Sequence, residues 1–189
     1  MNLTDEEKLI DRAIGGNQRA FSELVKRYDR SIYNLLLNIL KNEADAQDAY
    51  QSTFLKAYMN LSKFNRESKL HTWLYRIAIN TAYTYYRKRG KDNDPLLSDD
   101  IETVESIYNI GAEDHSLEEE EQRSIIREKV EKLSYQQKSV LYLKSYEGKK
   151  FHEIADLLSI NVGTAKAYFH RAVQNLRSAL GCREEENEG

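Results

Sequence analysis

Residues 151–180 read "FHEIADLLSINVGTAKAYFHRAVQNLRSAL", and their pattern decides the fold. Phe151, Ile154, Ala155 and Leu158 recur at three- and four-residue steps, as one face of a helix requires. A short turn, "SIN", follows, with Ile160 placed to plug the corner. Val162, Ala165, Phe169, Ala172, Val173, Leu176 and Leu180 then form a second, longer apolar face. Two helices joined by about three residues make the helix-turn-helix pattern. From Asn161 to Arg183 there is no Asp or Glu, while Lys166, Arg171, Arg177 and Arg183 are basic. A recognition helix needs cations for phosphates and side chains that reach base edges near its N-terminal half. Gly163, Thr164, Lys166, Ala167, His170, Arg171 and Gln174 stand where such contacts fall. A basic amphipathic bundle helix satisfies the same spacing, so this stretch alone leaves both readings open.

Upstream, Ser134 and Gln137 make a capping box for a helix reaching about Tyr146 and stopping at Gly148, and residues 121–133 read as one more helix. Before these lies "KDNDPLLSDDIETVESIYNIGAEDHSLEEEE", which holds the single proline, Pro95. Residues 91–120 carry one base, Lys91, against 11 acids. Weak periodicity and dense acidity mark a flexible linker of roughly 30 residues, long enough to suggest a function of its own. Residues 1–90 hold 15 Lys and Arg against 10 Asp and Glu, and residues 121–189 hold 12 against 10, including the acids of the terminal "EEENE" tail. Two basic blocks joined by an acidic strap suggest two modules that meet a polyanion and a connector that avoids it. The expected fold is therefore all-α, with two small helical domains at 1–90 and 121–183, the linker at 91–120 and an acidic tail at 184–189.

The N-terminal block is helical throughout. Thr4 and Glu7 make a capping box. Phe21, Leu24, Val25, Tyr28 and Ile32 step along one helix face; Ala46, Ala49, Tyr50, Thr53, Phe54, Ala57, Tyr58 and Leu61 step along another, with Asp45 and Asp48 near its start. The third long helix, from near Ser68 to Gly90, contains "LHTWLYRIAINTAYTYYRKRGK" (70–91), which has no acid. Leu70, Leu74, Ile77, Ala78, Thr81 and Tyr85 form its expected core side, and Trp73 is read as core. Arg76, Asn80, Tyr83 and Arg87 fall on one stripe of the other side. Cations for phosphates, an amide for a base edge and a ring for stacking suit single-stranded or melted DNA. A solvated polar face accounts for the same residues.

Several function classes find no support. A single cysteine, Cys182, excludes an internal disulfide framework and a multi-cysteine zinc site. "HEIAD" is not a zinc-protease motif, His71, His115, His152 and His170 lack ligand spacing, and no phosphate loop or nucleophile elbow occurs. No enzyme activity, metal or cofactor is expected. Mean hydropathy is -0.73, no run approaches the ~18 apolar residues of a membrane span, and the polar, acidic start is not a signal peptide. The expectation is a cytoplasmic protein without membrane insertion.

At this point the chain resembles the extracytoplasmic-function (ECF) sigma factors of bacterial RNA polymerase, over nearly its whole length and in the family's order. "AFSELVKRYDRSIYNLLLNIL" is similar to the first conserved helix of region 2, and "DAQDAYQSTFLKAYMNLSKF" to the region 2.2 helix that docks on the polymerase clamp. "HTWLYRIAIN" matches the pattern of regions 2.3 and 2.4. "LSYQQKSVLYLKSYEGKKFHEIADLLSINVGTAKAYFHRAVQNLR" looks like region 4. The resemblance implies that Asp45, Asp48, Gln51 and Phe54 dock on core polymerase. It also implies that Phe64 and Asn65, in the "KFNRESK" loop with Lys69, help capture an extruded base of the −10 element beside Arg76, Asn80, Tyr83 and Arg87. Gly163, Thr164, Lys166, Ala167, His170 and Arg171 would read the −35 element. The implied partners are core RNA polymerase (clamp and flap), promoter DNA and a cognate anti-sigma factor, and the linker would thread the polymerase interior. Three positions depart from the family pattern: Ser52 follows Gln51 where an acid is usual, Gln47 stands before Asp48 where an acid is often found, and Tyr168 stands where a basic residue is common. A helix-turn-helix repressor or activator acting without polymerase is the rival reading. It normally needs a dimer to read a two-fold operator.

Overall fold

Side-chain caps set where many of the helices begin. The Thr4 hydroxyl accepts from the Glu7 N–H at 3.3 Å and the Glu7 carboxylate accepts from the Thr4 N–H at 2.6 Å, which starts α1 (Asp5–Ile14). These bonds favour the ionised form and hold the Glu7 carboxyl below its ordinary pKa. Gly16, at φ +88°, supplies the left-handed turn that follows. Asn17 and Asn42 cap α2 (Gln18–Leu40) and α3 (Glu43–Asn60) through bonds of 3.0 and 2.9 Å from the Ala20 and Asp45 amides. A 3₁₀ turn, Leu61–Lys63, and a short loop lead into α4 (Leu70–Lys88). That helix begins two residues later than the Ser68 start expected from sequence.

The computed structural model describes residues 4–89, 126 and 128–179. All the elements it describes are helical, and the chain divides into two compact units, Met1–Lys91 and Asp92–Gly189. The linker and acidic tail read from sequence lie outside the described residues.

In the first unit α2 packs against α1, α3 and α4. Ile32, Leu35, Leu36 and Ile39 on α2 are fully excluded from solvent, and burying each side chain is worth about 1.5–3 kcal/mol. Polar ties at the rim fix the helices. The Tyr28 hydroxyl donates to Glu6, joining α2 to α1. The Tyr50 hydroxyl donates to Asp29 at 2.6 Å, joining α3 to α2; burial and that carboxylate push the phenol up to about 12. Between α3 and α4, Asp45 pairs with Arg89, Ser52 shares a 3.1 Å bond with Tyr85, and Lys56 donates to Thr81 at 3.0 Å. These contacts run in reverse order along the two helices, so α3 and α4 are antiparallel.

In the second unit residues 128–132 are helical and precede α5 (Tyr135–Ser145), α6 (Phe151–Leu158) and α7 (Val162–Ala179). The Ser134–Gln137 capping box read from sequence is present, with bonds of 3.3 and 3.1 Å. Ser134→Ala should lower the stability of this unit by about 1 kcal/mol, measurable as a shift in its urea midpoint at constant m-value. The α6–α7 corner turns on Ser159, at φ 56°, with the Ile160 N–H bonded to the Ala155 carbonyl at 3.0 Å. Asn161 then caps α7 by accepting from the Thr164 N–H at 2.6 Å. Ile154, Ala155, Leu157, Ala165, Ala172, Val173 and Leu176 are buried with Val140 and Leu143 of α5, and Phe151 meets Phe169 edge-on at 5.6 Å. This is the helix-turn-helix that the spacing predicted.

Candidate nucleic-acid and polymerase interfaces

Helix α4 turns two different arcs outward and inward. Leu70, Leu74, Tyr75, Ala78, Ile79, Thr81, Ala82 and Tyr86 are buried, whereas Arg76, Asn80, Thr84, Arg87 and Lys88 are exposed. The predicted stripe is thus solvent-facing, with Tyr83 half-buried and the Arg87 guanidinium 5.8 Å from its ring centre. Ile77 and Tyr85, expected in the core, are only half-buried. The inner arc is wider than the spacing suggested, because Tyr75, Ile79 and Tyr86 also point into the unit.

Beside the stripe lies an open groove of ≈ 390 Å³ between the end of α3, the 3₁₀ turn and α4, lined by Lys56, Asn60, Lys63, Trp73, Ile77, Asn80 and Thr81. Lys56 is held across it by its bond to buried Thr81, and the Asn60 amide donates back to the Lys56 carbonyl at 2.9 Å. Two ammonium groups, two amides and an indole edge form a site able to hold a base and its phosphates together. Sequence reasoning found only Asn80 of this set as a DNA residue. Lys56, Asn60 and Lys63 do recur at four- and three-residue steps, but placing them beside Asn80 requires knowing how α3 and α4 cross.

The loop after Lys63 corrects one expectation. Phe64 is 6% exposed and packs on Trp73, ring centres 5.3 Å apart, so it anchors the loop from beneath and is not presented to a ligand. Trp73, read as core, is half-buried and lines the groove. Asn65 and Lys69 are exposed, and the Asn65 side-chain oxygen accepts from the Glu67 N–H at 3.3 Å. Arg66 adopts φ 63°, a left-handed conformation that costs a non-glycine residue about 1–2 kcal/mol, and its guanidinium pairs with Asp11 of α1.

Helix α3 corrects one more. Phe54 is 8% exposed and belongs to the core, meeting Tyr50 edge-on at 5.0 Å. Asp45 is engaged by Arg89 at the end of α4. Asp48 and Gln51 are exposed as a docking face requires, and the same strip continues through Leu55, Tyr58 and Met59. Leu55 and Met59, at 61% and 68% exposure, are large apolar side chains on the open face of a helix whose other face is buried. Ser52 borders this strip, half-buried and sharing its bond with Tyr85.

On α7, Lys166 and Gln174 are exposed and His170 between them is half-buried, at steps of four; Gly163 and Ala167 interleave as small residues that let a backbone approach. Thr164 and Arg171, seven residues apart, flank this face and are half-buried. Tyr168 is 6% exposed and packs inward, so it is a core residue and leaves the outward face unchanged. No group of three or more His, Cys, Asp or Glu among the described residues could hold a metal ion, and no described helix is long and apolar enough to cross a membrane.

Comparison with known proteins agrees with this division. Sigma-70 region 2 matches residues 24–92 and Sigma-70, region 4 matches residues 123–176. The RNA polymerase sigma-H factor of Pseudomonas aeruginosa is 32% identical over 186 residues, covering 94% of this chain and 96% of that protein. The ECF RNA polymerase sigma-E factor of Haemophilus influenzae is 30% identical over 183 residues, with coverages of 94% and 96%. The chain belongs to the ECF sigma factors. It is an alternative sigma factor that directs RNA polymerase, and sigma factors are in general non-enzymatic initiation factors. The rival reading of a repressor acting without polymerase is set aside by this membership. The fold of this sigma factor also matches RpoE from Bartonella quintana, solved with the anti-sigma factor NepR, at a TM-score of 0.60 and 22% identity, covering 86% of this chain and 97% of that one.

Proposed function

We propose that the unit of residues 1–90 docks on core polymerase and opens the −10 element, that the unit of residues 121–183 reads the −35 element, and that residues 91–120 link them. The groove between α3 and α4 is the observation that carries this reading. It joins cations, amides and an indole on the acid-free face of α4, which suits a non-template base turned out of the stack with its flanking phosphates. Docking falls to Asp48, Gln51, Leu55 and Met59 on the open side of α3. The −35 contacts fall to Lys166, His170, Thr164 and Arg171 around α7, with Gly163 and Ala167 allowing close approach. The same exposed apolar strip on α3 offers a surface to a cognate anti-sigma factor, as the Bartonella relative has one. The protein acts in the cytoplasm and needs no cofactor or chemistry of its own.

The test is a complex of the purified chain with core polymerase, assayed for promoter-specific transcription. Within it Lys166→Ala should weaken binding across −35 sequences by a similar factor and reduce the salt slope by about 1, as loss of one phosphate contact does. A fragment containing α5–α7 whose DNA binding ignores salt would contradict this assignment.

A further inference from the structure

We propose that Asp11 is a positioning residue for −10 recognition: from α1 it holds Arg66, and through Arg66 it sets the 64–69 loop beside the groove. The proposal rests on the reading of that groove as the non-template-strand site.

The ion pair links residues 55 apart in sequence, and its two ends differ in rigidity. Helix α1 is fixed by its own contacts: Leu9, Ile10 and Ala13 are buried, Glu6 accepts from Tyr28, and the Thr4–Glu7 box closes its first turn. Asp11 therefore projects from a rigid support. The loop is anchored by Phe64 under Trp73 on one side and by buried Leu70 on the other. Between these anchors Asn65, Arg66, Glu67 and Lys69 are exposed, and Ser68 is half-buried. A left-handed non-glycine residue persists only where its surroundings hold it, and the Arg66 guanidinium on Asp11 is a tie from this segment to another element. Releasing it frees the backbone that carries Asn65 next to Lys63 and the groove.

The pair also has an electrostatic consequence. An unpaired arginine beside a DNA backbone binds phosphate whatever the sequence. Paired with Asp11, and with Glu7 also acting on it, Arg66 has its charge partly offset, and the loop presents the Asn65 amide instead. The arrangement gives up general affinity for discrimination among bases.

Holoenzyme assembled from the full chain and core polymerase should be offered a promoter library randomised across the −10 element. Asp11→Asn and Arg66→Gln should each flatten the preference at one position by about tenfold. Asp11→Asn should also raise binding to non-cognate single strands, and neither variant should change the melting temperature. The charge-reversed double variant, Asp11→Arg with Arg66→Asp, should recover most of the preference. Unchanged preference in both single variants overturns the proposal. So does a double variant as flat as the single ones, which would mean that Arg66 touches DNA itself. Asn80→Ala in the same library separates the two levels. If it flattens the preference while Asp11→Asn does not, the positioning role alone fails; if it does not, the groove reading fails and this proposal with it.

Discussion

Leu55→Asp is expected to weaken association with core polymerase by about 30- to 700-fold while leaving the fold intact. Leu55 is 61% exposed, so within the free protein the substitution touches little and should change stability by no more than about 0.5 kcal/mol. At an interface the same side chain becomes a carboxylate taken from water without a partner. Buried anchors of this kind carry about 2–4 kcal/mol each, which gives the stated factor at about 1.4 kcal/mol per decade. Asp48→Arg, by contrast, alters a rim charge. It should act mainly on the association rate and lose its effect at high salt. Titration of labelled chain with core polymerase, beside a thermal melt of each variant, separates the cases. If Leu55→Asp binds like the parent and melts like the parent, α3 docks through another face.

The features legible in the sequence were those set by neighbours along the chain. Thr4 with Glu7 and Ser134 with Gln137 form the boxes their spacing implies. The "SIN" corner turns as expected, with a left-handed Ser159 where glycine would be easier. The roles implied by resemblance went astray at two aromatic residues. Phe54 and Phe64 lie in segments that resemble binding motifs, yet a phenyl ring on a small helical unit gains most from burial, and both are core. Tyr168 departs from the family pattern at a position where a basic residue is common. On α7 it lies one turn from buried Ala165 and Ala172 and shares their face. Lys138 is 4% exposed, with its ammonium donating to the Glu131 carbonyl at 2.9 Å; nothing in a run of polar residues marks a lysine for the interior. The groove was the least legible feature. Its lysines and Asn60 come from α3 and the following turn, its tryptophan and Asn80 from α4, and only the crossing of the two helices puts them together.

That crossing sets the sharpest contrast available on α4, between positions 78 and 80. Ala78 is fully buried, so Ala78→Asp forces a carboxylate into the core. The penalty should be several kcal/mol, comparable with the whole stability of a unit of this size, and the N-terminal unit should unfold. Ile77→Asp is the weaker choice for this comparison, because Ile77 lines the open groove and its charge would keep contact with water. Asn80 is exposed, and its side chain faces the same groove as the Lys56 ammonium. Asn80→Ala removes no core contact and should melt within about 0.5 kcal/mol of the parent. It does remove an amide able to pair with a base edge, a loss of about 1–3 kcal/mol in discrimination. Promoter opening draws on that energy to offset the few kcal/mol needed to unstack a base. With polymerase present, permanganate reactivity of −10 thymines should therefore fall by about tenfold or more for Asn80→Ala, while far-UV circular dichroism stays native. For Ala78→Asp permanganate reactivity should be lost together with the N-terminal unit's share of the far-UV signal. Parent-like permanganate reactivity for a folded Asn80→Ala would move the single-strand site off this face of α4.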